Sequence, residues 1–297
     1  MKKILAVLLA GLMLCGAVAC DSSSGNSSAA SNSSSSQESS SASEESSTNN
    51  GDLSGIVKTG GSTSVEKVMN ALIYQFQADN QGVTVNYEMN GSGDGIQGVI
   101  DGKYEIGHSS RDLKEEETAE GLEGTPYAID GIAVVINPSN TVENLTQEQI
   151  QKIYTGEITN WSEVGGADAP ITVLTREDGS GTRSAFMEIV GLEEIASTAS
   201  ECKDTGAVQT TVSQNANAIG YMSFSDLDES MVKAVTYEGV AISTDTLKDN
   251  SYKLQRSFLL VTKEGTELSG AAQAFVDFIL SDEGQKLVSD NNLIPVK

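Results

Sequence analysis

The chain is poor in the residues on which many hydrolases and most disulfide-built domains depend. Its 297 residues include one histidine, one tryptophan and three cysteines. Cys15 and Cys20 fall within the first 20 residues, which leaves Cys202 as the only thiol beyond them. A single thiol builds neither a disulfide framework nor a thiolate metal site, so the fold must rest on its apolar core, and no metal is expected. A Ser–His–Asp relay would have to use His108, with Ser109, Ser110 and Ser180 as candidate nucleophiles. No Gly-x-Ser-x-Gly elbow accompanies them, and a lone histidine reads as structural. Neither a dinucleotide fingerprint nor a phosphate loop ending in Lys-Ser/Thr is present, and no cofactor is expected. Basic residues are also scarce: 18 Lys+Arg stand against 42 Asp+Glu. That balance argues against nucleic acid or an anionic membrane surface as the main partner. It does not argue against a buried anion site, because surface charges are screened beyond about 8 Å at physiological salt.

The N-terminus reads as an export signal over residues 1–20. Lys2 and Lys3 precede an apolar stretch, residues 4–14, that is too short for a permanent bilayer span. It closes as Ala17-Val18-Ala19-Cys20, which resembles a bacterial lipobox and makes Cys20 the expected lipidation site. Serine makes up more than half of residues 21–50. Such a composition cannot bury enough apolar surface to offset chain entropy, so residues 21–51 read as a disordered tether. As a flexible coil it would reach on the order of 30 Å.

What the remainder offers is a repeated local pattern. Residues 171–174 read as a strand, followed by Arg176-Glu177-Asp178-Gly179-Ser180-Gly181-Thr182 and then a helical stretch. A strand, a glycine turn and a helix start gather unpaired backbone N–H groups at the positive end of a helix dipole. Ser180 and Thr182 add hydroxyl donors, and Arg176 adds a fixed fork of guanidinium donors. One such unit could be an ordinary capped turn. Two more have the same make-up. Gly60-Gly61-Ser62-Thr63-Ser64 follows a short strand, with Thr63-x-x-Glu66 fitting a capping box for the helix behind it. Asn90-Gly91-Ser92-Gly93-Asp94-Gly95 follows the alternating strand of residues 83–89. Gly107-His108-Ser109-Ser110-Arg111-Asp112 contributes two further hydroxyls and an arginine. If these helix starts converge, they surround a tetrahedral oxyanion with neutral donors and one arginine. Such a device binds, and places no group to activate water.

Strands alternate with helices to the end of the chain, which implies α/β architecture with ligand at the carboxyl ends of strands. Thr146-x-x-Gln149 should cap a helix ending near Gly156, and residues 129–136, 218–222, 232–235 and 258–261 read as buried strands. A C-terminal helical segment covers residues 271–289, and Trp161 reads as a packing residue.

Over essentially the whole folded part, from about residue 55 onward, the sequence resembles the substrate-binding lipoproteins of bacterial high-affinity phosphate ABC transporters. The markers are Gly61-Ser62-Thr63-Ser64-Val65, Gly91-Ser92-Gly93, the segment 107–112, Gly156-Glu157-Ile158-Thr159-Asn160-Trp161 and the Arg176–Thr182 motif. The resemblance implies a two-lobed periplasmic-binding-protein fold of type II, with the ligand cleft between lobes joined by two crossover strands. Lobe one would hold residues 52–133 and 223–297, and lobe two residues 134–222. It implies phosphate ligands at Thr63, Ser64, Ser92, Ser110, Arg176, Ser180, Gly181 and Thr182, with Asp178 orienting Arg176. In the best-described branch an aspartate aligns with Ser110 and accepts the proton of hydrogen phosphate. Here the acceptor must come from elsewhere or a serine oxygen must serve; Asp94, with Asp130 behind it, is the first expected substitute, and Arg111 becomes a second positive contact. The implied partners are inorganic phosphate, the permease subunits of an importer, and a membrane reached through lipid on Cys20, with the protein itself a monomer on the extracellular face. A binder for sulfate, molybdate or tungstate is the nearest alternative, and a phosphatase-type hydrolase the alternative from another class.

Overall fold

The computed structural model describes residues 53–297; the expected signal, the Cys20 lipidation site and the whole of the expected tether lie outside the described residues. The chain runs β1 (Ser54–Gly61), a 3-10 turn (Thr63–Val65), α1 (Glu66–Asp79), β2 (Gly82–Met89), α2 (Ser92–Ile100), β3 (Ile106–Ser109), α3 (Glu115–Ala119) and β4 (Leu122–Ile136). There follow β5 (Asn144–Leu145), α4 (Gln147–Thr155), β6 (Thr172–Arg176), α5 (Gly181–Val190), β7 (Ser200–Cys202), α6 (Thr205–Gln214) and β8 (Ala218–Ser223). The remainder is β9 (Lys233–Ala234), β10 (Thr236–Tyr237), α7 (Thr244–Lys248), β11 (Gln255–Lys263), α8 (Gly270–Ile279), α9 (Asp282–Asp290) and β12 (Ile294–Pro295).

The main sheet has the order β2-β1-β3-β11-β4-β8-β6-β7. Its two ends are parallel, β2-β1-β3 and β8-β6-β7, and the middle is antiparallel. The long strand β4 joins them. Its residues 122–131 pair with β11, and its last five, 132–136, pair with β8. Successive side chains on a strand point to opposite faces. Ile132, Val134 and Ile136 accordingly enter one core with Ile153, Trp161, Phe186 and Tyr221, while Ala133 and Val135 enter another with Leu174, Val208 and Met222. Both faces are covered, which is why this stretch is an unbroken apolar run. The other half of the sheet is built likewise. Phe258 and Leu260 of β11 pack with Val57, Met69 and Phe275, and Leu259 and Val261 pack with Ile96 and Tyr104. The result is an α/β fold with two lobes on one continuous sheet.

The expected division between the lobes needs correction in one place. Val232 belongs to the β8-side cores, and so do Val235, Tyr237, Leu247, Tyr252 and Leu254. β9 pairs with the end of β4, and β10 pairs with β5. Residues 232–254 therefore pack with lobe two, and the return to lobe one begins at β11. The C-terminal segment is also two helices: Ser281 caps α9, its hydroxyl accepting from the Gly284 N–H. Gln149 does form the reciprocal capping box with Thr146, and Gly156 ends α4 at φ 83°. Trp161 is buried, its indole N–H donating to the Asn217 carbonyl at 3.0 Å.

Candidate functional site

Helix starts from both lobes meet at one place. At the end of β1, Gly61 takes φ 139°, and a Cβ there would lie 2.2 Å from the His108 carbonyl oxygen. Only glycine lets β1 run this close to the end of β3, which puts Ser62 within reach of Ser110. The Ser62 hydroxyl accepts from the Ser64 N–H at 3.2 Å and donates to Ser110 Oγ at 2.8 Å. Ser62, and not Thr63, thus caps the turn; α1 itself starts at Glu66 with no side-chain cap. The Thr63 hydroxyl, read from sequence as half of a capping box, is left free to face the other lobe. Ser92 opens α2, and its Oγ lies 3.2 Å from Ser110 Oγ and accepts from the Ser110 N–H at 3.1 Å.

The second wall comes from lobe two. Ser180 caps α5 by accepting from the Arg183 N–H, and Gly181 and Thr182 form the first turn. A Cβ on Gly181 would sit 2.2 Å from Ser92 Oγ and 2.6 Å from Ser110 Oγ, so the missing side chain is what allows the two walls to approach. Direct bonds join them. Ser64 Oγ is 2.6 Å from Thr182 Oγ1, and the Gly93 N–H donates to the Gly179 carbonyl at 3.0 Å. Ser62, Thr63, Ser64, Ser92, Ser110, Arg176, Ser180 and Thr182 are all buried.

Arg176, at the end of β6, is 1% exposed. Its backbone N–H donates to the Tyr221 hydroxyl at 3.1 Å, which pins the strand end. The guanidinium has five N–H groups. Nε and Nη2 donate to the two oxygens of Glu177, both at 2.9 Å; Nη2 also donates to Thr63 Oγ1 at 3.0 Å, and Nη1 to Thr205 Oγ1 at 3.3 Å. One N–H on Nη1 remains. This is a fork fixed by a carboxylate on one side, with hydroxyls from both lobes at its tips.

Four expectations fail on this geometry. Asp178 does not orient Arg176: it pairs with Arg183 and is exposed, and Glu177 takes the role. Arg111 does not reach the cluster. Its guanidinium pairs bidentately with Glu117 at 2.7 and 2.8 Å and lines a separate cavity of about 510 Å³ with Glu188, Lys248 and Arg256. Burial pushes the Glu117 carboxyl up, but the bonds from Arg111 and from the Lys114 N–H together hold it below its ordinary range. Asp94 is exposed in the first turn of α2. Asp130 is buried, with Arg256 at 2.9 and 3.3 Å and Ser223 at 2.9 Å occupying its oxygens. Burial raises the Asp130 carboxyl while Arg256 opposes the shift. Among the described residues, then, none of the clustered hydroxyls is hydrogen-bonded to a carboxylate.

His108 lies behind the cluster and outside it. The Thr59 hydroxyl donates to the Ile106 carbonyl at 2.6 Å, so the 2.7 Å contact between His108 Nε2 and Thr59 Oγ1 needs the proton on Nε2. Burial pushes the imidazole down to about 3, so it is neutral. Sequence reading missed Ser62 as the bridge to Ser110, Glu177 as the arginine's partner, and Thr205 altogether. The signal for Thr205 was present: Asp204 before it is a strong N-cap type and does cap α6.

A profile described as the PBP superfamily domain matches residues 29–283. The chain belongs to the PBP superfamily. Its relatives within PBP proteins are consistent in kind. The phosphate-binding protein PstS of Borreliella burgdorferi is 32% identical over 260 residues, 84% of this chain and 92% of that protein. A Clostridium perfringens protein described as a phosphate ABC transporter substrate-binding protein, solved with bound phosphate, is 46% identical. It superposes with a TM-score of 0.79 over 82% of this chain and 100% of its own. An ABC-type phosphate transport receptor from Vibrio cholerae is 33% identical, with a TM-score of 0.69 over 81% and 100%. These PBP relatives are named for binding and transport, and none of the three for catalysis.

Proposed function

We propose that this PBP-family chain captures inorganic phosphate between its lobes and delivers it to the permease subunits of an ABC importer. The observation that carries the reading is the buried junction of helix starts: neutral hydroxyls and backbone amides from two lobes, gathered around one fixed guanidinium. Such an arrangement offers a tetrahedral anion many donors at short range and a single compensating charge. It contains no paired base to activate water, which fits capture and not turnover. The phosphate named for the relatives supports the identity of the anion. Thr63, Ser64, Ser92, Ser110, Arg176, Ser180, Gly181 and Thr182 are the proposed ligands, with Glu177 holding Arg176. Lobe one would comprise residues 53–131 and 255–297, and lobe two residues 132–254. Closing them around the anion would be the state the permease reads. We place the mature protein on the extracellular face, as a monomer anchored through lipid on Cys20; Cys20→Ala should release it into the medium.

Titration calorimetry of the purified protein with phosphate and with sulfate tests the reading. Saturable phosphate binding that Arg176→Ala weakens strongly is the expected result, and an unaltered affinity in that variant removes Arg176 from the site. One observation favours a second reading, that of a general tetrahedral-oxyanion binder. With no carboxylate bonded to the hydroxyl cluster, nothing there repels sulfate in particular. Equal affinities for phosphate and sulfate would establish that broader specificity.

A further inference from the structure

A ninth side chain, from a helix start that none of the motifs covered, completes the cluster. Thr205 is the first residue of α6 and is 4% exposed. Its hydroxyl oxygen lies 3.3 Å from Arg176 Nη1, 3.3 Å from Ser64 Oγ and 3.5 Å from Thr63 Oγ1. A guanidinium has donors only, so Thr205 Oγ1 is the acceptor of the Nη1 bond, and its own proton must point elsewhere. The two hydroxyls that could receive it stand at the outer limit for O–H···O bonds, which ordinarily span about 2.5–3.0 Å. Ser64 Oγ already has a close partner in Thr182 Oγ1 at 2.6 Å, and Thr63 Oγ1 accepts from Arg176 Nη2 at 3.0 Å. The Thr205 proton thus has no acceptor nearer than 3.3 Å, a long contact that a closer anion oxygen would displace. It sits beside the one uncommitted N–H of Arg176, where α6 adds the positive end of its dipole. Asp204 does not compete for it, since its carboxylate caps the Ala207 N–H at 2.7 Å.

We propose that Thr205 is a ligand-binding residue, its hydroxyl donating to an oxygen of the captured anion while Arg176 Nη1 fixes the hydroxyl from behind. The proposal rests on the phosphate reading of this site. It makes α6 a fourth helix start directed at the anion. Arg176 then acts twice over, because by occupying lone pairs on Thr63 and Thr205 the guanidinium turns both hydroxyl protons outward as donors.

The test compares wild type, Thr205→Val and Thr205→Ser by phosphate titration calorimetry, with the Tm of each phosphate-free protein measured alongside. Valine keeps the shape and removes the donor; serine keeps the donor. Losing a hydrogen bond to a charged ligand should weaken phosphate binding by about 10- to 100-fold in Thr205→Val, with Thr205→Ser within about threefold of wild type. The phosphate-free Tm values should coincide. Phosphate affinity in Thr205→Val equal to wild type, or a serine variant as weak as the valine one, overturns the proposal. If Thr205→Val lowers the phosphate-free Tm, Thr205→Ala is read by the same criterion. A wild-type protein that takes up no phosphate would instead overturn the function proposed above, a result that these variants cannot mimic.

Discussion

Gly181 separates lobe closure from folding more cleanly than any other position in the site. The backbone there is the first turn of α5, a conformation alanine adopts readily, and alanine is intrinsically the better helix former by roughly 1 kcal/mol. Nothing within lobe two should resist Gly181→Ala. The obstruction comes from lobe one: the added methyl would stand 2.2 Å from Ser92 Oγ and 2.6 Å from Ser110 Oγ. Ser110 Oγ is bonded to Ser62 and Ser92 Oγ receives the Ser110 N–H, so neither hydroxyl can rotate away without breaking a buried bond. Overpacking of this kind costs about 1–3 kcal/mol. Applied to the closed state alone, it predicts phosphate affinity lower by roughly 5- to 150-fold. Calorimetry reads the affinity, and a thermal melt without phosphate reads the fold. The expected pattern is weakened binding with an unchanged or slightly raised phosphate-free Tm. Affinity within twofold of wild type would mean that the approach of Gly181 to the two serines is not part of the bound state.

Other consequences can be checked on single variants. Glu177→Ala should weaken phosphate binding by about tenfold by freeing the Arg176 fork, whereas Asp178→Ala should leave it within about twofold, because that carboxylate faces solvent. Calorimetry on the pair decides which acidic residue holds the arginine. Asp130→Ala should destabilise the fold by about 3–5 kcal/mol by stranding the buried Arg256 guanidinium, read as a lowered urea midpoint. His108 titrates near 3 in the fold and near 6.5 when unfolded, so between those values the unfolded chain holds the extra proton and stability rises with pH. This contribution is complete above about pH 6.5 and is lost toward pH 3, on the order of 5 kcal/mol in all. Burial of the Asp226 carboxyl, raised to about 8, acts in the opposite sense, removing stability as pH climbs through the range between its unfolded value and 8. Between about pH 4 and 6.5 the two slopes oppose each other, so urea midpoints of His108→Gln should fall steadily from pH 4 to 7, where those of wild type stay nearly level until about pH 6.5.

Much of this arrangement is legible in the residues. Glycine turns with hydroxyls at helix starts are local signals, and three of the four helix starts in the cluster were found that way, together with Arg176. Side-chain direction is not local in the same sense. Glu177 and Asp178 are adjacent carboxylates after the same arginine, and only the course of the chain out of β6 decides that the first folds back on the guanidinium. Arg111 follows Ser110 directly, yet α3 brings Glu117 to it and draws it out of the cluster. Thr63 fits a capping-box spacing with Glu66, but Ser62 caps the turn before α1 and α1 itself has no side-chain cap, which leaves the Thr63 hydroxyl to Arg176. Thr205 belongs to a helix start without a glycine-rich turn before it, so the pattern that revealed the others passed over it. The apolar residues of 232–254 could have joined either lobe, and pairing with β4 and β5 assigns them.

Equilibrium dialysis of the purified protein against radiolabelled phosphate, with Arg176→Ala as the control, tests the central claim most directly. Wild type should take up one phosphate per chain saturably, and the variant little or none. No saturable uptake by wild type, or equal uptake by both proteins, would contradict it.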